Sequence, residues 1–213
     1  MPDYTYLVND VIEACETDSQ EFLNYIPKMV NRAEERLTRD LDDYGMITYT
    51  SVAVSNGNNQ MTLPTGARSL HNINVVVNGS KINMLQRTDE FLNDYWPVAT
   101  STGIPKYYAR LTDTLIRLAP TPTSTSDGEV VYVSRPTTLT SATNTNYFTD
   151  KCYDALFYGT MVEAMMFNKN FTTLPVFEGR YVAIVASLQN QARQTRRDDL
   201  QKSNITSDNT VGV

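Results

Sequence analysis

His71 is the one histidine among 213 residues, and histidine is the side chain whose ordinary titration suits proton transfer near neutral pH. It lies between Leu70 and Asn72 at the start of a strand-like run, with no motif around it. A Ser–His–Asp triad on a nucleophile elbow would need Gly-x-Ser-x-Gly, and that pattern does not occur. Paired carboxylates, the working couple of glycosidases, occur at Asp40-Leu41-Asp42-Asp43 and at Asp198-Asp199. In a glycosidase the two carboxylates are set by distance in space rather than by spacing in sequence, so these runs carry no such signature. The first run also lacks the alternating ligands, central Gly and terminal Glu of a calcium loop, and reads as a solvated acidic helix end. Cys15 and Cys152, with a single histidine, are too few for a Cys/His zinc site. Both cysteines sit in apolar helical runs, as small buried hydrophobes or, alternatively, as a disulfide. The nine glycines are scattered at turns and form no phosphate-cradling loop. No catalytic residue, cofactor or metal site is therefore expected.

The local basic feature is Arg193, Arg196 and Arg197, followed at once by Asp198 and Asp199, which cancel much of its field. With 24 acidic and 18 basic residues the net charge is −6. Such a chain lacks the electrostatic footprint of a protein that grips nucleic-acid phosphates. Arg193, Arg196, Arg197, Leu200, Lys202, Ile205 and Val211 are read as the candidate partner interface, at the end of the last helix and in the tail.

These candidates must be positioned by the surrounding elements. Leu7, Val8, Val11, Ile12 and Cys15 form a helical stripe opposed by polar residues. Asp18 and Ser19 offer an N-cap for a short turn carrying Phe22 and Leu23. Pro27 is placed as the first residue of the next helix, whose apolar face is Ile26, Met29, Val30, Ala33, Leu37 and Leu41, with Gly45 as its stop. From Met46 the texture turns to strands: Ile47 to Val54, Met61 to Leu63, Ile73 to Val77, Ile82 to Met84, Tyr107 to Arg110, Thr114 to Leu118 and Glu129 to Ser134. Asn78-Gly79 marks a tight hairpin, and Asp89 to Tyr95 a short helix. After a Thr/Ser/Asn-rich linker, a helix beginning at Thr149 or Asp150 carries Cys152 to Phe167, apolar on nearly every face, so it must be surrounded by its own domain or by a neighbouring subunit. Pro175 opens a last helix to about Leu200, roughly 36 Å long.

The expected fold is α+β, a four-helix bundle built from N- and C-terminal helix pairs with an inserted antiparallel β domain. The divisions are 1–45 for the N-terminal helices, 46–146 for the β-rich domain with its short helix, 147–202 for the C-terminal helices and 203–213 for a flexible tail. No signal peptide is expected, since the N-terminus has neither a basic segment nor an unbroken apolar one. No run approaches the roughly 18 apolar residues of a membrane helix.

An ordered series of motifs resembles the head-to-tail adaptor proteins of short-tailed phages, the tail tubular protein A-like portal adaptors. It comprises Val30-Asn31-Arg32-Ala33-Glu34-Glu35-Arg36-Leu37, Leu63-Pro64, Tyr95-Trp96 and Gly103-Ile104-Pro105-x-x-Tyr108. Leu115-x-Arg117-Leu118-x-Pro120-x-Pro122 follows, then the strand Val130 to Ser134, then Asp154-Ala155-Leu156-x-Tyr158-Gly159 with Glu163-Ala164. The chain departs from the family after Pro122, where Thr123-Ser124 replaces an acidic turn residue. The resemblance implies a structural virion protein, not an enzyme, made in the bacterial host cytoplasm and placed at the portal vertex. It implies a ring of twelve copies that binds the portal protein above and nozzle or tail tubular protein B-like subunits below, with tail fibres as a further partner. Double-stranded DNA would pass through the lumen without specific binding. The alternatives are another tail ring component, such as a nozzle or head-completion protein, and more distantly a virion-associated glycan hydrolase.

Overall fold

The computed structural model describes residues 2–17, 19–41 and 46–205, with side chains as far as 191. In chain order the elements are α1 (Tyr4–Cys15), α2 (Gln20–Asp40), β1 (Ile47–Val54), β2 (Gln60–Thr62), β3 (Ala67–Val77), β4 (Ser80–Asn83), β5 (Leu85–Gln86) and α3 (Asp89–Tyr95). They continue with β6 (Thr102–Gly103), β7 (Tyr107–Arg110), β8 (Leu115–Ala119), β9 (Thr121–Pro122), β10 (Ser126–Ser134), α4 (Tyr147–Lys151), α5 (Tyr153–Phe167) and α6 (Leu174–Ile205). The chain divides into a helical unit, Met1–Gly45 with Pro136–Val213, and a strand unit, Met46–Arg135.

Helix α5 is the hub of the helical unit, with α1, α2, α4 and α6 packed around it. Its sequence dictates this position, because a helix with no wide polar face has to be covered on all sides. Leu156, Gly159, Met161, Val162 and Ala164 are buried, and the buried Thr160 hydroxyl is satisfied by donating to the Leu156 carbonyl at 2.8 Å. The other helices bury one stripe each. Leu7 and Val11 do so from α1, which Asp3 caps by accepting from the Tyr6 N–H at 2.8 Å.

The expected four-helix bundle with an inserted antiparallel β domain is overturned, while the α+β class stands. Among the described residues there are six helices and ten strands in three sheets. In a four-helix bundle each helix keeps a polar face to water, whereas α5 has no such face and packs on four other helices, α1, α2, α4 and α6. The strands are not wholly antiparallel either: β5 runs parallel to β7, and β6 parallel to β9.

Two expected helix boundaries also change. Pro27 does not open a helix; it lies inside α2, which starts after the Ser19 cap. An interior proline costs about 3 kcal/mol. Here it stands on the exposed side, and the uninterrupted burial of Phe22, Ile26, Met29 and Val30 opposite it outweighs that cost. The helix expected to carry Cys152 to Phe167 is broken at Cys152, whose backbone (φ −138, ψ 36) separates α4 from α5. Helix α4 starts on a reciprocal cap: the Asn146 side chain accepts from the N–H groups of Phe148 and Thr149, and the Thr149 hydroxyl accepts from the Asn146 N–H.

In the strand unit one sheet has the order β1-β10-β3-β4 and a second β2-β8-β7-β5, with β6 and β9 forming a separate pair. The first is antiparallel throughout, running from Ile47 opposite Val133 to Val54 opposite Ser126 at its β1 edge. Asn78 (φ 51) and Gly79 (φ 78) make the expected tight turn between β3 and β4. Period-two alternation sends Val54, Ile73, Val75, Val130 and Tyr132 of the first sheet and Met61, Tyr108, Ile116 and Leu118 of the second into one shared core.

Candidate partner interface

The run Val30 to Leu37 on α2 assigns nearly every residue a structural duty. Val30, Ala33 and Leu37 are fully buried. Arg32 pairs with Glu163 of α5 at 3.4 Å. Glu34, only 6% exposed, accepts from the Leu139 N–H at 3.1 and 3.2 Å and from the Asn146 amide at 2.6 Å, tying down the linker before α4. Burial raises the Glu34 carboxyl above its usual range, with these two donors pulling the other way.

Arg36 makes a two-point bond to Glu178 of α6, one arm at 2.9 Å. It also lies 4.1 Å from the centroid of the Tyr181 ring and 3.5 Å from Asp40. Arg36 in turn holds Glu178 below the ordinary carboxylate range. The Tyr181 hydroxyl donates to Asp40 at 2.7 Å, and burial first, then this bond, lifts its pKa far above that of a free phenol. On α5, Gly159 meets this arrangement with no side chain: a Cβ there would stand 3.2 Å from the Tyr181 ring and 3.4 Å from Ala33 Cβ.

In the strand unit three sequence motifs converge at one corner. A Cβ at Gly103 would stand 2.9 Å from Pro120 Cβ and 3.8 Å from the Trp96 ring. Thus the Gly-Ile-Pro element, the Pro-x-Pro loop and Tyr95-Trp96 pack on one another because position 103 is empty. The Trp96 indole donates to the Ser101 carbonyl at 2.7 Å, and the Thr121 hydroxyl to the Ala99 carbonyl at 2.7 Å. Arg117 of β8 fastens α3 to the sheet, reaching Asp89 and Asn93 at 2.8 Å each. Beneath them Leu92 packs on Ala109 and Ala119.

This corner presents a surface that sequence reasoning missed. Phe91 and Tyr95 stack with centroids 5.7 Å apart, and both meet Tyr107 edge-on, at 5.5 and 5.0 Å. They remain exposed, as do Leu85 and Val98. The i,i+4 spacing of the two rings was the available signal. The helical unit has its own exposed apolar residues: Met166, Phe171, Val176 and Val182.

Of the sequence-predicted interface residues, Arg193, Arg196, Arg197, Leu200, Lys202 and Ile205 fall within the span of α6, but their side chains lie outside the described residues, as does Val211 altogether. So do Asp42, Asp43, Gly45 and the side chains of Asp198 and Asp199. The backbone of α6 runs to Ile205, well past Gln189, whose amide donates to the Asp40 carbonyl at the end of α2. Its 32 residues span about 48 Å.

His71 is exposed on β3. Cys15 and Cys152 are free thiols, so the disulfide alternative is overturned. Burial pushes the Cys15 thiol up to about 11, which keeps it protonated and unreactive at neutral pH. Among the described residues no three His, Cys, Asp or Glu side chains are placed to hold a metal ion. No described helix is long and apolar enough to cross a membrane.

A family model described as SU10 adaptor protein matches residues 3–207, nearly the whole chain. No curated protein matches it.

Proposed function

The chain belongs to the SU10 adaptor protein family, a phage head-to-tail adaptor family, and from that premise we propose that it is a non-enzymatic virion protein forming a dodecameric ring between portal and tail. The observation that carries this reading is the family match over residues 3–207, within which the motif residues serve as ties of the fold. Ala33, Gly159 and Tyr181 set helix spacing, while Gly103 and Pro120 set the strand-unit corner. Glu34, Arg36 and Tyr181 are each engaged in ties within the helical unit. An α6 far longer than the 15-residue α5 on which it packs supplies surface for a neighbour. A net charge of −6 suits a wall past which DNA slides, since it offers phosphates no collective grip.

In this reading the portal binds the end of α6 and the segment beyond it, and nozzle subunits with tail fibres bind the opposite rim. The test is native mass spectrometry of the purified protein with and without its portal, joined to a cryo-EM reconstruction of the portal vertex. A single ring of this chain beneath the portal is expected. A monomeric decoration at another site on the particle would overturn the reading.

A further inference from the structure

Helix α6 turns an unusual side to water. Its outward residues between 175 and 191 include Val176, 62% exposed, and Val182, 53% exposed, with Gly179, Ala183 and Ala186 between and beyond them. Arg180 is the one charged residue exposed on this stretch. The outward side of α2 is different, carrying Glu21, Lys28, Arg32, Glu35 and Arg39.

Gly179 adds a second observation. A glycine inside an exposed helix costs about 1 kcal/mol relative to alanine. Nothing among the described residues lies within 4 Å of where its Cβ would be, so the face is open enough there for another backbone or ring to come close.

The chain itself carries a face of matching character. Phe91 and Tyr95 of α3 form an exposed aromatic pair. Glu90 and Asp94 flank that pair, both exposed and neither in an ion pair among the described residues; Asp89, by contrast, is taken by Arg117. On the other side, Arg180 is exposed and likewise outside any ion pair among the described residues. One face is aliphatic and carries Arg180; the other is aromatic, with Arg87 over the Phe91 and Tyr107 rings at 5.8 and 5.9 Å and the carboxylates of Glu90 and Asp94 along the helix beside them. Joining α6 to its own copy would set Arg180 against Arg180, whereas joining it to α3 of another copy pairs opposite charges.

We propose that the outward face of α6 in one copy seats on the α3 face of a second copy, with Val176, Gly179 and Val182 against Phe91 and Tyr95, and Arg180 toward Glu90 and Asp94. The contact joins two different faces, so each copy keeps one face of each kind for the next; that is the condition for a ring. This assignment rests on the ring reading above and names the surfaces that would build it.

The test uses two full-length single variants, Val182→Cys and Tyr95→Cys, mixed and assembled on the portal, then mildly oxidised. A disulfide-linked dimer is expected from the mixture and from neither variant alone, and a chain carrying both substitutions should give a ladder of multimers. Arg180→Glu should weaken assembly about tenfold, and Glu90→Arg with Asp94→Arg should restore it. A ring measured by native mass spectrometry without the mixed cross-link, or cross-linking by Val182→Cys alone, would overturn the contact and leave the ring standing. If no ring forms, the ring reading fails and the contact fails with it.

Discussion

Gly159 and Tyr181 set the distance between α5 and α6: a Cβ at position 159 would stand 3.2 Å from the tyrosine ring, tighter than ordinary van der Waals contact. Because Tyr181 also donates to Asp40 and supports Arg36 on its face, the ring has little room to retreat. One absent side chain thus lets α2, α5 and α6 share a junction.

Gly159→Ala is expected to change stability by less than about 1 kcal/mol, since helix propensity favours alanine by about that amount while the tight contact opposes it. Gly159→Leu should cost about 1–3 kcal/mol or more through overpacking. Urea denaturation of both variants, followed by far-UV circular dichroism, checks the contrast; equal stabilities would contradict the junction.

Gly103→Ala has no such compensation, because position 103 lies in a strand and the obstruction is the ring of Pro120. A loss of about 1–3 kcal/mol is expected, read as a lowered midpoint of the Trp96 fluorescence transition.

Glu34→Ala removes the acceptor for the Leu139 N–H and the Asn146 amide. The Asn146 amide keeps the Thr137 carbonyl at 2.8 Å, but leaving the buried Leu139 N–H unpaired should cost about 1–3 kcal/mol and expose the linker before α4 to proteolysis. Limited digestion with mass mapping should show new cuts within 136–146.

Acid should act on Glu178 and Glu34 with opposite signs. Glu178 is held below its usual range by Arg36, so its stabilisation is complete above the unfolded carboxylate pKa and is lost as pH falls through the lower folded value. Glu34 is raised by burial, so it binds its proton earlier in the folded chain, and its contribution grows as pH falls through that raised value and declines as pH rises through it. Denaturation midpoints measured from pH 7 to pH 3 should fall less steeply for Glu178→Gln than for the parent. A steeper fall would contradict the Arg36–Glu178 assignment.

Deleting residues 202–213 should weaken portal binding while leaving the thermal transition in place, measured by co-sedimentation with purified portal. Undiminished binding would move the portal contact away from the end of α6.

Much of the fold was legible because it rests on local periodicity. The stripes of α1 and α2, the alternation of the long strands and the Asn78-Gly79 turn are all written at short range. What failed needed tertiary knowledge. Pro27 reads as a helix start until the buried face opposite it is known to continue, and the break at Cys152 is invisible in a run that is apolar throughout. The two-residue parallel pairs of β5 and β6 are too short to have a period. For the candidate site, the motif residues were found but not their duties, since the spacing of Gly159, Ala33 and Tyr181 exists only in three dimensions. The Phe91–Tyr95 pair lay in plain sight as an i,i+4 spacing on a helix that was correctly expected.

The strand unit begins and ends at one place: the Ser134 N–H donates to the Met46 carbonyl at 2.8 Å. This has a consequence for synthesis, which proceeds from the N-terminus. When the ribosome has released Arg135, every strand pairing of that unit is available and it can close, whereas α1 and α2 still lack α5 and α6. Phe22, Met29 and Leu37 therefore face water or a chaperone until residues beyond 159 emerge. The helices made after the strand unit are the ones that cover the helices made before it, so the helical unit closes only after the strand unit can.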